Sequence, residues 1–349
     1  MATPASGATV TETRRGTRCL LSMHIGKARC GITTRRRGTH IAAAVAVAAS
    51  VWCACEVAKS TGSPQNQEAA PQSGLPAGLP PHRLFATASA AVAAAIPANA
   101  RVVGFGEFHQ RTDRPRGRDT LAVFRTEILP AMAPRVSDLV LETWIVEKGC
   151  QQGLAASRQI EGAMKRPTQL ASQVSGQIGS AQRAGIVVHA MTLRCAELTA
   201  IAGAGHDEVD VVAMLGLVTR ELSRIGTSVV RVRDAGAGAR PLVALYGGAL
   251  HNDRFPDPSV AEWSYASELD RISDNRYVEI DLISPELASS SQGPKELWRQ
   301  LLPYAREDQV ILYQRGTRSF VVILPTAGGG VLADVPDVAD GAAGNEDRE

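Results

Sequence analysis

The fold is decided by one stretch of the sequence, Val102-Val103-Gly104-Phe105-Gly106-Glu107-Phe108-His109. It begins as a short apolar run of the kind that forms a buried strand, and it continues directly into glycines, a carboxylate and an imidazole. In open α/β sheets, ligands bind at the carboxyl ends of the strands. We therefore expect Glu107 and His109 to project into a cleft at this end of the sheet, where glycine leaves room beside them.

Similar apolar runs recur along the chain and alternate with longer helical patterns. They predict buried strands at residues 101–105, 138–141, 186–188, 242–246 and 277–283. Residues 310–313 and 320–324 predict a hairpin that turns at Arg315-Gly316-Thr317. Strands separated by helices imply a parallel sheet covered on both faces. The predicted fold class is α/β, with a largely parallel central sheet flanked by helices and a C-terminal antiparallel hairpin.

Two helical patterns are clear enough to place. After the first strand, one face of a helix is marked by Leu121, Phe124, Ile128 and Leu129. A second helix has Asp207 and Glu208 in its first turn, where they complement the helix dipole. Its apolar face is formed by Val211, Met214, Leu215, Val218, Leu222 and Ile225.

Two other predicted strands also end in residues that can carry chemistry. Residues 242–246 lead into Gly247-Gly248-Ala249-Leu250-His251, which delivers His251 just past a strand. Glu142 closes the apolar run 139–141, so its carboxylate is either buried at a cost or aimed into the same cleft. The predicted catalytic residues are Glu107, His109, Glu142 and His251, and the predicted metal ligands are Glu107, His109 and His251. The alternative is that these residues only shape turns or fill the core.

Other polar residues are weaker candidates. His189 lies inside an apolar run and is more often a satisfied core histidine. Asp113 and Asp253 lie in polar loops, where solvated carboxylates are the default. No serine stands in a Gly-x-Ser-x-Gly elbow, so covalent catalysis is not indicated. The net charge is only +2, which does not favour nucleic-acid binding.

The N-terminal part has the pattern of an export signal. Arg35-Arg36-Arg37 precedes an uncharged run over residues 41–52, as in secretory signals. Cys53-Ala54-Cys55 follows, and it resembles the lipobox of bacterial lipoproteins, with Cys55 as the predicted site of lipidation. We therefore expect a membrane-anchored lipoprotein of the cell envelope, on the periplasmic or outer-membrane side. A signal-anchor helix or an ordinary cleaved peptide is the alternative.

Composition divides the chain into four parts. These are a signal peptide with candidate lipobox (1–55), a flexible tether (56–83), the α/β domain (84–326) and a disordered acidic tail (327–349). The domain retains two cysteines, Cys150 and Cys195. An oxidising compartment would permit one disulfide between them, and two free buried thiols are the other reading.

The motifs Gly106-Glu107-Phe108-His109 and Gly248-Ala249-Leu250-His251, with Glu142 between them, resemble a superfamily. It joins ChaN-like haem-uptake lipoproteins, erythromycin esterase and the Tiki/TraB proteins. The resemblance implies a shared α/β fold over residues 85–325 with a Glu/His cluster at one end of the sheet. Members bind haem, hydrolyse a lactone, or are metal-dependent peptidases. The tether and lipobox look most like the ChaN branch, but no histidine lies between His109 and His189, so a ligand carried on the following helix in that branch lacks a counterpart.

Three functions follow from this pattern. The first is a lipoprotein that binds a small-molecule ligand, haem or a divalent metal ion, with little turnover. The second is a hydrolase of esters, lactones or peptides, either metal-dependent or with a His or Glu general base. The third is a non-catalytic surface interaction module. Because only 4% of residues are aromatic, a haem slot would need two copies of the chain, that is, a homodimer.

Overall fold

The sheet is built around the strand formed by Val102–Glu107. Its eight strands are β1 (His82–Phe85), β2 (Val102–Glu107), β3 (Val136–Val146), β4 (Val187–Leu193), β5 (Leu242–Gly248), β6 (Tyr277–Ile283), β7 (Val310–Gly316) and β8 (Ser319–Ile323). Their order is β1-β7-β8-β6-β2-β5-β3-β4. From β8 to β4 all neighbours are parallel, while β7 pairs antiparallel with both β8 and β1. The predicted parallel sheet and C-terminal hairpin are therefore confirmed.

The computed structural model describes residues 75–76, 78–203, 209–234, 240–290 and 296–328. The predicted signal peptide with Cys55, the pair Asp207 and Glu208, and nearly all of the predicted tail lie outside these ranges, as does most of the predicted tether. Within them, no helix combines the length and the apolar character needed to cross a bilayer.

Helices cover both faces of the sheet. They are α1 (Ala88–Ala95), α2 (Thr120–Val123), α3 (Leu129–Met132), α4 (Gln151–Ala163), α5 (Leu170–Arg183), α6 (Cys195–Ala202), α7 (Val211–Asp234), α8 (Ala249–Asn252), α9 (Ala266–Ile272) and α10 (Pro285–Ser289). A π-helical turn, Phe124–Ile128, joins α2 to α3, and two 3₁₀ helices span Ala261–Trp263 and Leu297–Tyr304. The predicted apolar face after β2 is confirmed, since Leu121, Phe124, Ile128 and Leu129 are all buried.

The two faces of β2 look into different parts of the core, because side chains alternate along a strand. Phe105 packs on the π-helical turn and on β5. Its ring centroid lies 4.9 Å from that of Phe124, and the centroids of Phe124 and Tyr246 lie 4.5 Å apart. The opposite face carries Val102 and is covered mainly by α7. On α7, four of the six predicted apolar positions are buried, but Val211 is 41% exposed at the helix start.

Two features differ from the sequence interpretation. Glu142 does not end its strand, because β3 continues to Val146 and its register against β4 shifts between Leu141 and Trp144. The short strand β1 begins at His82, within the predicted tether, and pairs with β7. Its four residues are too few to show an alternating pattern.

The two cysteines of the domain form a disulfide, with their Cα atoms 5.7 Å apart. Cys150 is the N-cap of α4, and Cys195 is the first residue of α6. The bond therefore joins the starts of two helices that pack together beside β3 and β4.

Candidate functional site

Glu107 lies at the carboxyl end of β2 and is 8% exposed. Its Oε1 is 2.9 Å from Nδ1 of His109. Its Oε2 accepts hydrogen bonds from the hydroxyl groups of Thr120 and Tyr246. With these partners the carboxylate is held in one position, and it fixes the ring of His109 in turn.

The second ring nitrogen of His109 faces another carboxylate. Its Nε2 is 3.3 Å from Oε1 of Glu142, which also lies 3.6 Å from the guanidinium of Arg166. The other oxygen of Glu142 accepts a hydrogen bond of 2.5 Å from the backbone N–H of Gly248. Glu142 sits where the register of β3 shifts, and this irregularity directs its side chain toward β5.

Two glycines at the end of β5 make room for this arrangement. A Cβ on Gly247 would lie 2.5 Å from Oε2 of Glu142, and one on Gly248 would lie 2.8 Å from Nε2 of His109. Both distances are below the closest approach of carbon to nitrogen or oxygen. Glycine is therefore required here by the site rather than by the turn.

The pKa shifts of Glu107, His109 and Glu142 all favour the charged form of the group. Burial raises the pKa of Glu142, but the charge and hydrogen bond of His109, with His251 and Arg166, lower it well below its usual range. Burial and Arg166 lower the pKa of His109, yet Glu142 and Glu107 outweigh them, so the net shift is upward. Burial likewise raises the pKa of Glu107. His109 and the hydroxyl groups of Thr120 and Tyr246 lower it by more, so the net shift is downward. The two carboxylates therefore favour the protonated form of His109.

His251 does not join this hydrogen-bonded cluster. It lies in α8 and is 3% exposed, on the face of the sheet that α7 covers. Its Nδ1 is 2.8 Å from the hydroxyl of Thr219 and 3.0 Å from the carbonyl oxygen of Trp263. The structure thus brings together Glu107, His109 and Glu142, whereas His251 packs against Thr219 on α7 and makes no hydrogen bond to the cluster.

The donor geometry does not fit the predicted metal site of Glu107, His109 and His251. Both nitrogens of His109 face carboxylate oxygens, and His251 lies on the other face of the sheet. Within the described residues, no group of three or more His, Cys, Asp or Glu side chains is arranged to hold a metal ion. Haem and metal binding stay predictions from the sequence.

The cluster opens into a cleft between the end of the sheet and α5. The cleft is small, with a cavity volume of about 30 Å³, and it is partly open to solvent. One wall carries Glu107, His109, Glu142 and Arg166. The cleft is also lined by aliphatic side chains, namely Leu121, Leu141, Leu170 and Val174, and by one amide, Gln177.

The weaker sequence candidates have structural partners. His189 is 2.9 Å from a carboxylate oxygen of Asp138, which also binds Arg233, so the structural reading of His189 agrees with its contacts. Asp113 forms an ion pair with Arg111 at the surface. Asp253 departs from the expected solvated carboxylate, because it pairs with Arg315 and its side chain is only 20% exposed.

The sequence did not predict Tyr246 and Thr120, which donate to Glu107, or Arg166 and Gln177, which line the cleft. Tyr246 and Thr120 had a usable signal, since Tyr246 ends a predicted strand and Thr120 precedes a predicted helix face. Arg166 and Gln177 had none. They belong to a region between the second and third predicted strands in which no pattern fixed the position of a helix.

No protein-family model matches the chain, and no curated protein matches it. Among solved structures, the chain is similar to the type III effector HopBA1. The two are 14% identical with a TM-score of 0.32, over 65% of this chain and 88% of that chain. A likeness this weak says nothing about activity.

Proposed function

We propose that the protein is a metal-independent hydrolase of ester, lactone or peptide bonds, in which His109 transfers the proton. The observation that carries the proposal is the position of His109, whose Nδ1 is 2.9 Å from Glu107 and whose Nε2 is 3.3 Å from Glu142 in a cleft. A histidine that one carboxylate orients through Nδ1, and whose Nε2 lies beside a second carboxylate at a cleft, can act as a general base.

Loss of the proton from His109 prepares the attack. The hydrogen bond to Glu107 keeps the remaining proton on Nδ1, so Nε2 becomes an acceptor directly beside the carboxylate of Glu142. Two acceptors at this distance repel each other unless a hydrogen donor lies between them. A water molecule that donates one hydrogen to each satisfies both, which places the nucleophile in the cleft.

The reaction then follows from this position. The water oxygen attacks the carbonyl carbon of the substrate while Nε2 of His109 takes one of its protons. Arg166, whose side chain is 13% exposed, provides positive charge for the oxygen that becomes negative. His109 returns the proton to the leaving oxygen or nitrogen as its bond to carbon breaks, which releases an acid and an alcohol or amine.

The test uses the purified full-length protein in detergent, treated with EDTA and assayed against p-nitrophenyl esters, lactones and p-nitroanilides. His109→Gln should lower kcat/KM about 10²- to 10⁴-fold, the usual contribution of a general base. His189→Gln is the matched control and should keep its activity, because His189 contacts Asp138 outside the cleft. Activity that His109→Gln retains, or that EDTA abolishes and a metal restores, would overturn the proposal.

A further inference from the structure

Gln177 is a fully buried side chain whose hydrogen-bonding groups are unused. It is 0% exposed, and neither Nε2 nor Oε1 has a hydrogen-bond partner. Buried polar groups in proteins are nearly always paired. An amide that leaves both its donor and its acceptor free therefore requires an explanation.

Helix α5 directs this amide into the cleft. Leu170, Val174 and Gln177 are spaced by four and three residues, so they share one face of the helix, and all three line the cleft with His109. The helix satisfies another glutamine one turn earlier, where Nε2 of Gln173 donates to Asp119 at 2.6 Å. On α5, the unpaired amide is thus the one that lines the cleft.

The unpaired amide of Gln177 makes the folded state less stable, as each buried polar group left unpaired does. Methionine has nearly the same length, fills a similar volume and brings no such cost. A glutamine at this position destabilises the fold unless its amide is used by a group that enters the cleft.

We propose that Gln177 is the specificity-determining residue of this cleft and that it binds an amide, so that the substrate class is amides or peptides rather than esters or lactones. The inference rests on the proposed hydrolase. An amide carbonyl accepts a hydrogen bond from Nε2, and an amide N–H donates one to Oε1. An ester or lactone offers only acceptors and leaves Oε1 unpaired, and sites with unpaired polar groups discriminate strongly against such analogues.

The first experiment measures stability in the full-length protein without any ligand. Gln177→Met should raise Tm by about 2–4 °C, which corresponds to the removal of roughly 1 kcal/mol of unpaired polarity in a domain of this size. Gln173→Met, the matched control on the same helix, should lower Tm because it loses the bond to Asp119. A decrease in Tm for Gln177→Met would show that the amide has a structural partner, and it would overturn the inference.

The second experiment measures recognition by NMR on ¹⁵N-labelled full-length protein. The side-chain amide signal of Gln177 is assigned by its absence in Gln177→Met. N-methylacetamide should shift this signal and bind at least about tenfold more tightly than methyl acetate, as expected for one additional satisfied polar group. In Gln177→Met, N-methylacetamide and methyl acetate should bind with equal affinity.

Equal affinity of the wild-type protein for the two compounds, or an amide preference that survives in Gln177→Met, would contradict the inference. Neither readout needs turnover. Amide binding at Gln177 without hydrolysis would refute the proposed hydrolase alone, whereas amide hydrolysis that Gln177→Met leaves unchanged would refute only the role of Gln177.

Discussion

The ring of His109 is held between two carboxylates, and the protonation state of its Nε2 decides what the site does. Protonated His109 pairs with both Glu107 and Glu142, and only neutral His109 exposes an acceptor at Nε2. Because the pKa of His109 is raised, kcat/KM of the wild-type protein should increase with pH through an ionisation above the usual histidine value of about 6.5. The sign follows from the neutral form being the active base.

Substitutions of Glu142 and of Arg166 should shift the pKa of His109 in opposite directions. Glu142→Gln removes a negative charge beside His109, so the rise in activity should shift to lower pH. Arg166→Met removes a positive charge and should shift it to higher pH. NMR titration of the His109 ring measures the same ionisation without turnover. Shifts of the same sign in both variants would contradict this electrostatic account.

At the scale of elements, the site depends on irregularities as much as on regular structure. The sequence predicts β6 to the residue and locates β2 and β5, although both strands continue two residues past their predicted ends. Apolar runs followed by glycines are a local signal. The position of Glu142 depends on a shift in register against β4, which is a property of two strands and not of either sequence alone. Arg166 and Gln177 reach the cleft through the packing of α4 and α5, for which the sequence has no local signal.

The glycines after β5 allow a test of this arrangement. Gly248→Ala would place a Cβ 2.8 Å from Nε2 of His109, so the ring must move away from Glu142, and we expect at least a tenfold loss of kcat/KM. Gly216→Ala is the matched control within α7, where an added Cβ meets no atom within 4 Å. It should stabilise the protein by about 0.5–1 kcal/mol and leave activity unchanged. Full activity in Gly248→Ala would show that the ring position is not critical.

The disulfide between the starts of α4 and α6 should contribute to stability through the unfolded chain. It closes a loop with a sequence separation of 45, for which chain entropy predicts about 4 kcal/mol. The Cys150→Ser, Cys195→Ser double variant should lose roughly this free energy of unfolding in urea. Reductant should lower the stability of the wild type and leave the double variant unchanged. An equal response of the two proteins would mean that the thiols are not paired in solution.

Across the whole molecule, polar chemistry is not confined to the cleft. Arg315 pairs with Asp253 and Glu279, and Asp281 lies on the same strand as Glu279. Burial and Glu279 raise the pKa of Asp281 well above its usual range, because one guanidinium does not balance three carboxyl groups. Oδ1 of Asp281 and Oδ1 of Asn252 are buried, and neither has a hydrogen-bond partner. The sequence did not predict this cluster, since its members come from three separate segments.

Replacement of Asp281 should change the dependence of stability on pH. A carboxyl group with a raised folded pKa contributes stability below its unfolded value, about 3.9, and this contribution is lost as pH rises through the folded value. Asp281→Asn stays neutral at every pH, so it should become more stable than the wild type as pH increases above about 4. Urea unfolding at several pH values measures this. Asp257→Asn, at the surface, should show no such gain, and a less stable Asp281→Asn at pH 7 would contradict the assignment.

The disulfide also bears on where the protein works. Disulfides persist in oxidising compartments, which agrees with the export signal predicted before Cys55. If Cys55 is the lipidated residue, full-length protein produced in a bacterial host should incorporate a fatty-acid analogue and partition with membranes. Cys55→Ser should lose both properties and keep the disulfide, while Cys53→Ser should behave as wild type. Label lost only in Cys53→Ser would assign the other cysteine, and label absent from the wild type would favour a signal anchor or an ordinary cleaved peptide.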